Sequence, residues 1–160
     1  MNRATALFAA LSAAVLLAAP GAANARDLPS GGLTRQDVVT WLGQHGYQAS
    51  VQHDNTANDD FVGAQVKGVN FGVWFYTCDN GGRCKSLQYS AGWSGTKIPL
   101  DKVNDWNRDK RYLRAYFARA GGLFAEYDID IIPGGTWEQL DFSLDRWSDR
   151  ISDFKSYMGL

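Results

Sequence analysis

The stretch FGVWFYTCDNGGRCKSLQYSAGW, residues 71–93, decides the fold that we predict for this chain. Two runs rich in aromatic and apolar residues flank the turn sequence DNGGR at residues 79–83. This arrangement is typical of two antiparallel strands joined by a short connection. A third run, FVGAQVKG at residues 61–68, precedes them. The sequence therefore predicts an antiparallel meander in the middle of the chain.

On the N-terminal side of the meander, the sequence predicts one helix and one strand. Thr34 is followed three residues later by Asp37, a spacing that lets the two residues cap the start of a helix. Gly46 marks its end, because glycine readily adopts the left-handed conformation that stops a helix. Residues 47–52 then alternate between apolar and polar side chains, as expected of a strand.

On the C-terminal side, the pattern predicts a short helix at residues 99–107 and two strands joined by RAGG at residues 119–122. A long helix follows, because apolar residues recur at alternating steps of three and four. They are Trp137, Leu140, Leu144, Trp147, Ile151, Phe154 and Met158. We therefore predict an α+β fold: an antiparallel β-sheet of five to six strands with an N-terminal helix, a short middle helix and a long C-terminal helix.

The N-terminus has the features of a secretory signal peptide. An apolar run at residues 4–19 follows Arg3, and small residues precede the predicted cleavage after Ala25. An uncleaved membrane anchor is the alternative, although the run is short for a bilayer span. We expect a signal peptide at 1–25, a flexible mature N-terminus at 26–32 and a single domain at 33–160. The product would be periplasmic or secreted, with no membrane span after cleavage.

The charge of the predicted mature chain is nearly balanced. Because Arg3 is the only charged residue of 1–25, the rest of the chain carries 15 basic and 17 acidic residues, a net charge of −2. Nucleic-acid binding proteins usually carry a clear basic excess, so nucleic acid is not an expected partner.

Cys78 and Cys84 are the only cysteines of the chain, and they lie at the two ends of the predicted hairpin turn. In an oxidising compartment such a pair is usually a structural disulfide, which stabilises a short loop by about 2–2.5 kcal/mol. A redox centre usually has two intervening residues, whereas five intervene here. A redox pair, a metal site and unpaired thiols remain the alternatives.

Residues that could carry catalysis do not form a recognisable set. His45 and His53, the two histidines, lie on different predicted elements. Residues 54–60 are rich in oxygen ligands but lack the glycine and terminal glutamate of a calcium loop. Glu126 and Asp128 could form a carboxylate pair, but next to Arg114 a surface charge ladder is the commoner arrangement. We therefore predict no catalytic residues, no metal ligands and no cofactor.

Side chains alternate between the two faces of a sheet, and this alternation predicts one face that is both aromatic and charged. Its residues are Trp74, Tyr76, Cys78, Tyr112, Arg114, Tyr116, Phe124, Glu126 and Asp128. If helices cover only the opposite face, this face is a surface for a protein or peptide partner, or for a second copy in a homodimer. The alternatives are that a helix covers it, or that a small ligand binds in a pocket between sheet and helices.

The order of motifs at residues 100–147 resembles the YbjN domain family, bacterial sensory-transduction regulators. The resemblance is carried by Asn104, Trp106 and Asn107 near a helix end, and by a Gly-Gly-Thr start to the last helix at residues 134–136. It extends over about residues 33–154 and implies a fold like that of type III secretion chaperones, sometimes dimeric, without catalytic residues. From the residues themselves, we interpret the asparagine–tryptophan motif as a structural joint between helix and strand.

Together these observations predict an exported, non-enzymatic domain that acts as a regulatory or chaperone-like module and binds a protein or peptide. A periplasmic sensor or carrier of a small ligand is the alternative function.

Overall fold

The computed structural model describes residues 25–160, and positions 1–24 of the predicted signal peptide lie outside the described residues. Residues 25–160 form three helices and six strands. In chain order they are α1 (Arg35–Gln44), β1 (Ala49–Asp54), β2 (Asp59–Val66), β3 (Val69–Cys78), β4 (Cys84–Trp93), α2 (Leu100–Asp109), β5 (Arg114–Phe117), β6 (Leu123–Asp130) and α3 (Trp137–Met158). None of the helices within 25–160 combines the length and apolar character needed to cross a bilayer.

The six strands form one antiparallel sheet in the order β1-β2-β3-β4-β6-β5. The first four follow one another as the predicted meander. After β4 the chain passes through α2 into β5, which forms the edge of the sheet. Strand β6 then lies between β4 and β5 and pairs with both. The predicted α+β class, the antiparallel sheet and the three helices are confirmed.

Helices α1 and α3 both begin with a capping box, and the one at α1 is the cap predicted from Thr34 and Asp37. The Thr34 hydroxyl accepts from the backbone N–H of Asp37, and the Asp37 carboxylate accepts from the backbone N–H of Thr34. Thr136 and Gln139 make the same reciprocal pair at the start of α3. These bonds satisfy backbone groups that lack a partner within the helix.

All three helices pack on one face of the sheet. Trp147 of α3 packs against Phe71 and Tyr89 of the sheet, with ring centroids 5.8 Å and 5.6 Å away. Helix α1 joins α3 through a 2.7 Å hydrogen bond from the Trp41 indole to Asp141. Helix α2 joins it through Trp106, whose ring meets that of Phe154 at 5.1 Å. The core therefore lies between the sheet and a single layer of helices.

The segment at 26–32, predicted to be flexible, is attached to the folded domain. Leu28 is buried and its N–H donates to the carbonyl of Gly135, while the Arg26 carbonyl accepts from the N–H of Trp137. The backbone N–H of Arg26 also donates to the Glu138 carboxylate at 2.9 Å. These contacts tie the segment to the start of α3, and its flexibility stays a prediction.

Candidate binding face of the sheet

Within residues 25–160, no helix lies on the face of the sheet opposite α1, α2 and α3, and we call this face the open face. Side chains point alternately to the two faces along each strand. Every second residue points to the helices, and the others point to the open face. One row of paired residues crosses all six strands there. In order it contains Ser50, Gly63, Gly72, Ser90, Glu126 and Arg114. The row is small and neutral at one end and charged at the other.

The charged end centres on Glu126, whose side chain is only 8% exposed. Its Oε2 accepts two hydrogen bonds from the Arg114 guanidinium, at 3.1 Å and 2.7 Å. Its Oε1 accepts from the Tyr116 hydroxyl at 2.7 Å. A buried carboxylate needs such partners, because an unpaired charge away from water is costly. With both oxygens bonded, Glu126 is held in place as part of an ion pair.

Gln88 extends this network across the sheet. Its Nε2 donates to Asp128 at 2.7 Å and to Glu126 at 3.4 Å, and its Oε1 accepts from the Tyr76 hydroxyl at 3.2 Å. We call this set the Glu126 cluster. It comprises Tyr76, Gln88, Arg114, Tyr116, Glu126 and Asp128.

The electrostatic effects of the cluster follow from this geometry. Partial burial, together with donation to Glu126, raises the pKa of Tyr116 to about 12. Burial and the negative charge of Glu126 raise the pKa of Tyr76 above its usual value. The hydrogen bonds to Glu126 raise the pKa of Arg114. Both tyrosines thus stay neutral hydrogen-bond donors, and Arg114 stays charged, over the whole physiological pH range.

The neutral end of the open face forms a groove of about 820 Å³, which we call the neutral groove. Phe61 and Trp74 stack on one side, with ring centroids 4.8 Å apart, and Phe124 lies on the other. A Cβ on Gly72 would come within 2.9 Å of the Phe61 ring, and one on Gly92 within 2.8 Å of the Phe124 ring. Glycine at these positions therefore lets the aromatic rings lie flat against the sheet.

The Asn-Trp-Asn motif lies at the opposite edge of the molecule, where it attaches α2 to β5. Asn107 donates to the carbonyl of Ala115 and accepts from its N–H, both at 2.8 Å. The Trp106 indole is buried and donates to the carbonyl of Leu113 at 3.1 Å. Asn104 is exposed. These contacts are those of a joint between a helix and a strand, and they hold the edge strand that carries Arg114.

A sequence profile described as "YbjN: Putative bacterial sensory transduction regulator" matches residues 34–159. The chain belongs to the YbjN family. The match begins at the cap of α1 and ends one residue beyond α3, so it spans every helix and strand of this YbjN domain. A comparison with curated proteins gives no match.

In this YbjN domain, most of the residues that we predicted for a partner surface lie together on the open face. Trp74, Tyr76, Arg114, Tyr116 and Phe124 are all there, as the alternation of the strands requires. The rings of Tyr116 and Phe124 stack at 5.8 Å.

Tyr112 is the exception, and its predicted place on the open face was wrong. Strand β5 begins only at Arg114, and Tyr112 has a positive φ of 76°. The backbone therefore turns the side chain to the helix side, where its ring lies 4.0 Å from the guanidinium of Arg146 and 6.3 Å from the ring of Tyr127.

Gln88 is the site residue that the sequence analysis missed. It stands between Leu87 and Tyr89, which are both buried on the helix side, so the alternation of side chains places it on the open face. The missing information was the pairing of β4 with β6, which brings Gln88 beside Asp128.

The two cysteines of the YbjN chain form a disulfide in the structure, between Cys78 at the end of β3 and Cys84 at the start of β4. The bond closes the hairpin at one end of the open face. No group of three or more His, Cys, Asp or Glu side chains within 25–160 is arranged to hold a metal ion.

Proposed function

We propose that this YbjN protein is a non-enzymatic regulatory module that binds a protein or peptide partner through its open face. The observation that carries the proposal is the exposure of large side chains around a fixed ion pair. Tyr76 is 46% exposed and Tyr116 is 40% exposed, although both belong to the Glu126 cluster. Tyrosine and arginine are enriched among the residues that dominate binding energy at protein interfaces.

The rigidity of the cluster supports binding at this place. Each of its members is held by a neighbouring strand, so little side-chain freedom remains to be lost when a partner binds. Both oxygens of Glu126 are already bonded, which favours a role in recognition over a role as a catalytic acid or base.

The charge of the cluster region indicates the kind of partner. Glu126, Asp128 and Asp130 outnumber Arg114 on this part of the open face. A segment that offers basic side chains or hydrogen-bond donors complements this surface. A second copy of the chain would present the same acidic excess. We therefore propose a different protein or peptide, rather than a homodimer, as the first candidate partner.

Export belongs to the same proposal. We propose that the protein acts in the periplasm or outside the cell after cleavage behind Ala25. The disulfide between Cys78 and Cys84 is compatible with an oxidising compartment. A chaperone-like role in the envelope is one form that the regulatory binding could take.

The test compares two charge reversals of equal size. Asp128→Lys changes the cluster on the open face, and Asp145→Lys changes an exposed aspartate on α3, on the helix side. Affinity capture from the native envelope, followed by mass spectrometry, should recover a partner with the wild type and with Asp145→Lys, but not with Asp128→Lys. Calorimetric titration of the identified partner should give the same order. Equal recovery with all three proteins, or no specific partner with any, would overturn the proposal.

A further inference from the structure

The lining of the neutral groove differs in composition from the rest of the chain. Charged residues make up 21% of the sequence, yet none of the residues that line the groove is ionisable. The polar side chains there are amides and hydroxyls only. They are Gln48, Ser50, Gln52, Gln65, Asn70 and Ser90.

These polar side chains are not used to hold the protein together. Among the described residues, the single side-chain hydrogen bond within the set runs from Gln65 Nε2 to Asn70 Oδ1, at 2.9 Å. The Glu126 cluster shows the opposite arrangement, because its polar groups bond to one another. Apart from the groups in this bond, the side-chain donors and acceptors of the groove are therefore free to meet a ligand.

The extent of the groove across the strands favours an elongated ligand. It crosses the strands from β1 to β6, a distance of about 19 Å at the usual spacing of neighbouring strands. Its floor contains the small residues Gly63, Gly72 and Ser90, with the Gln52 amide lying over Gly63 and the Phe61 ring over Gly72. Aromatic rings bound it on both sides, with Trp74 on one and Phe124 on the other.

We propose that the neutral groove binds an uncharged oligosaccharide. Sugar hydroxyls both donate and accept hydrogen bonds, as do the amide and hydroxyl side chains of the lining. The C–H faces of a sugar ring pack on flat aromatic surfaces, which Trp74 and Phe124 supply. The absence of charge in the lining matches a ligand that has none, because a charged ligand would lose its hydration without gaining a partner.

An extended peptide fits the groove less well. Peptides that bind to sheets usually add a strand along an edge and pair with its backbone. This groove runs across the strands, over the face of the sheet, so a peptide lying along it would cross the edge strand β1 and could not pair with its backbone in register. The inference does not depend on the protein partner proposed above, since that partner was assigned to the Glu126 cluster.

The experiment titrates the purified protein with hexasaccharides of α-linked glucose, β-linked glucose and β-linked N-acetylglucosamine, followed by calorimetry and tryptophan fluorescence. At least one should bind, and Trp74→Ala should weaken that binding about tenfold or more. Gln52→Ala, which changes an exposed side chain at the groove, should also weaken it and provides a second variant in case Trp74→Ala unfolds.

Phe142→Ala is the matched control, because Phe142 is 60% exposed but lies on α3. It should leave sugar binding unchanged, as should Asp128→Lys. The inference is overturned if none of the sugars binds, if both groove variants bind as the wild type does, or if an uncharged peptide of glycine, serine and asparagine binds in place of the sugars.

Discussion

Glu126 is a buried carboxylate on a sheet face that no helix of residues 25–160 covers. Hydrogen bonds from Arg114 and Tyr116 replace those of the water that burial removes from its two oxygens. Removal of one partner of a buried charge usually costs more than the pair itself contributes, because the remaining charge is left without compensation. The cluster is thus sensitive to single substitutions.

Arg114→Ala should lower the free energy of unfolding by about 1–2 kcal/mol, because Glu126 loses two charge-assisted hydrogen bonds. Urea denaturation at neutral pH measures this change. Arg119→Ala, which removes an exposed arginine from the turn between β5 and β6, is the control and should cost less than about 0.5 kcal/mol. Equal losses for the two variants would show that Glu126 does not depend on Arg114.

Tyr116 gives a prediction for alkaline pH. Its pKa is raised from the ordinary value to about 12 in the folded protein, mainly by burial and also by the hydrogen bond to Glu126. A raised pKa means that the neutral phenol stabilises the fold below pH of about 10. That contribution is lost as pH rises from the ordinary value towards about 12.

Unfolding free energies of the wild type should therefore fall more steeply than those of Tyr116→Phe over this alkaline range. Tyr76 and Tyr89 also have a raised pKa, but they are present in both proteins and cancel in the difference. Parallel curves for the two proteins would contradict the assignment.

At the scale of elements, the joint between α2 and β5 has a physical role, because it holds the edge strand in the sheet. Strand β5 has only four residues and pairs with one neighbouring strand, β6. Few backbone hydrogen bonds between strands therefore hold it in the sheet. Asn107 adds two bonds to Ala115 from the other side. The helix thus takes the place of the missing neighbouring strand.

Asn107→Ala should lower the free energy of unfolding by about 1–3 kcal/mol, since a backbone N–H and a carbonyl lose their partner together. Asn104→Ala provides a matched control on the same helix, because Asn104 is exposed, and should change stability by less than about 0.5 kcal/mol. Thermal and urea unfolding measure both. A similar effect of the two substitutions would contradict a special role of Asn107.

At the scale of the whole molecule, local patterns predicted the elements and most of their faces. Thr34 and Thr136 start helices where capping chemistry allows, and the alternation around Trp74 and Tyr89 assigns them to opposite sides of the sheet. The side chain of Tyr112 was assigned to the wrong face, because the alternation of side chains along a strand gives no sign of its positive φ.

Long-range pairing was the part that could not be predicted from the sequence. The neutral groove exists because Ser50, Gly63, Gly72 and Ser90 align in one row, and these four residues come from four strands. Each glycine alone predicts a turn or a weak point in a strand. They form the floor of one site because the register of strand pairing places them side by side.

The two regions of the open face meet at Phe124. Its ring stacks on Tyr116 of the Glu126 cluster and also lines the neutral groove. A ligand that moves this ring would therefore change the surface offered to a protein partner. Such an arrangement would allow one bound molecule to regulate the binding of the other.

The contact between Arg26 and Glu138 has a consequence for maturation. The backbone nitrogen of Arg26 lies 2.9 Å from the Glu138 carboxylate at the first turn of α3. If the chain is cleaved behind Ala25, as we propose, this nitrogen would become the terminal ammonium group, and its hydrogen bond to the carboxylate would become an ion pair. In a recombinant protein that keeps extra residues before Arg26, this nitrogen would remain a peptide N–H and the ion pair would not form.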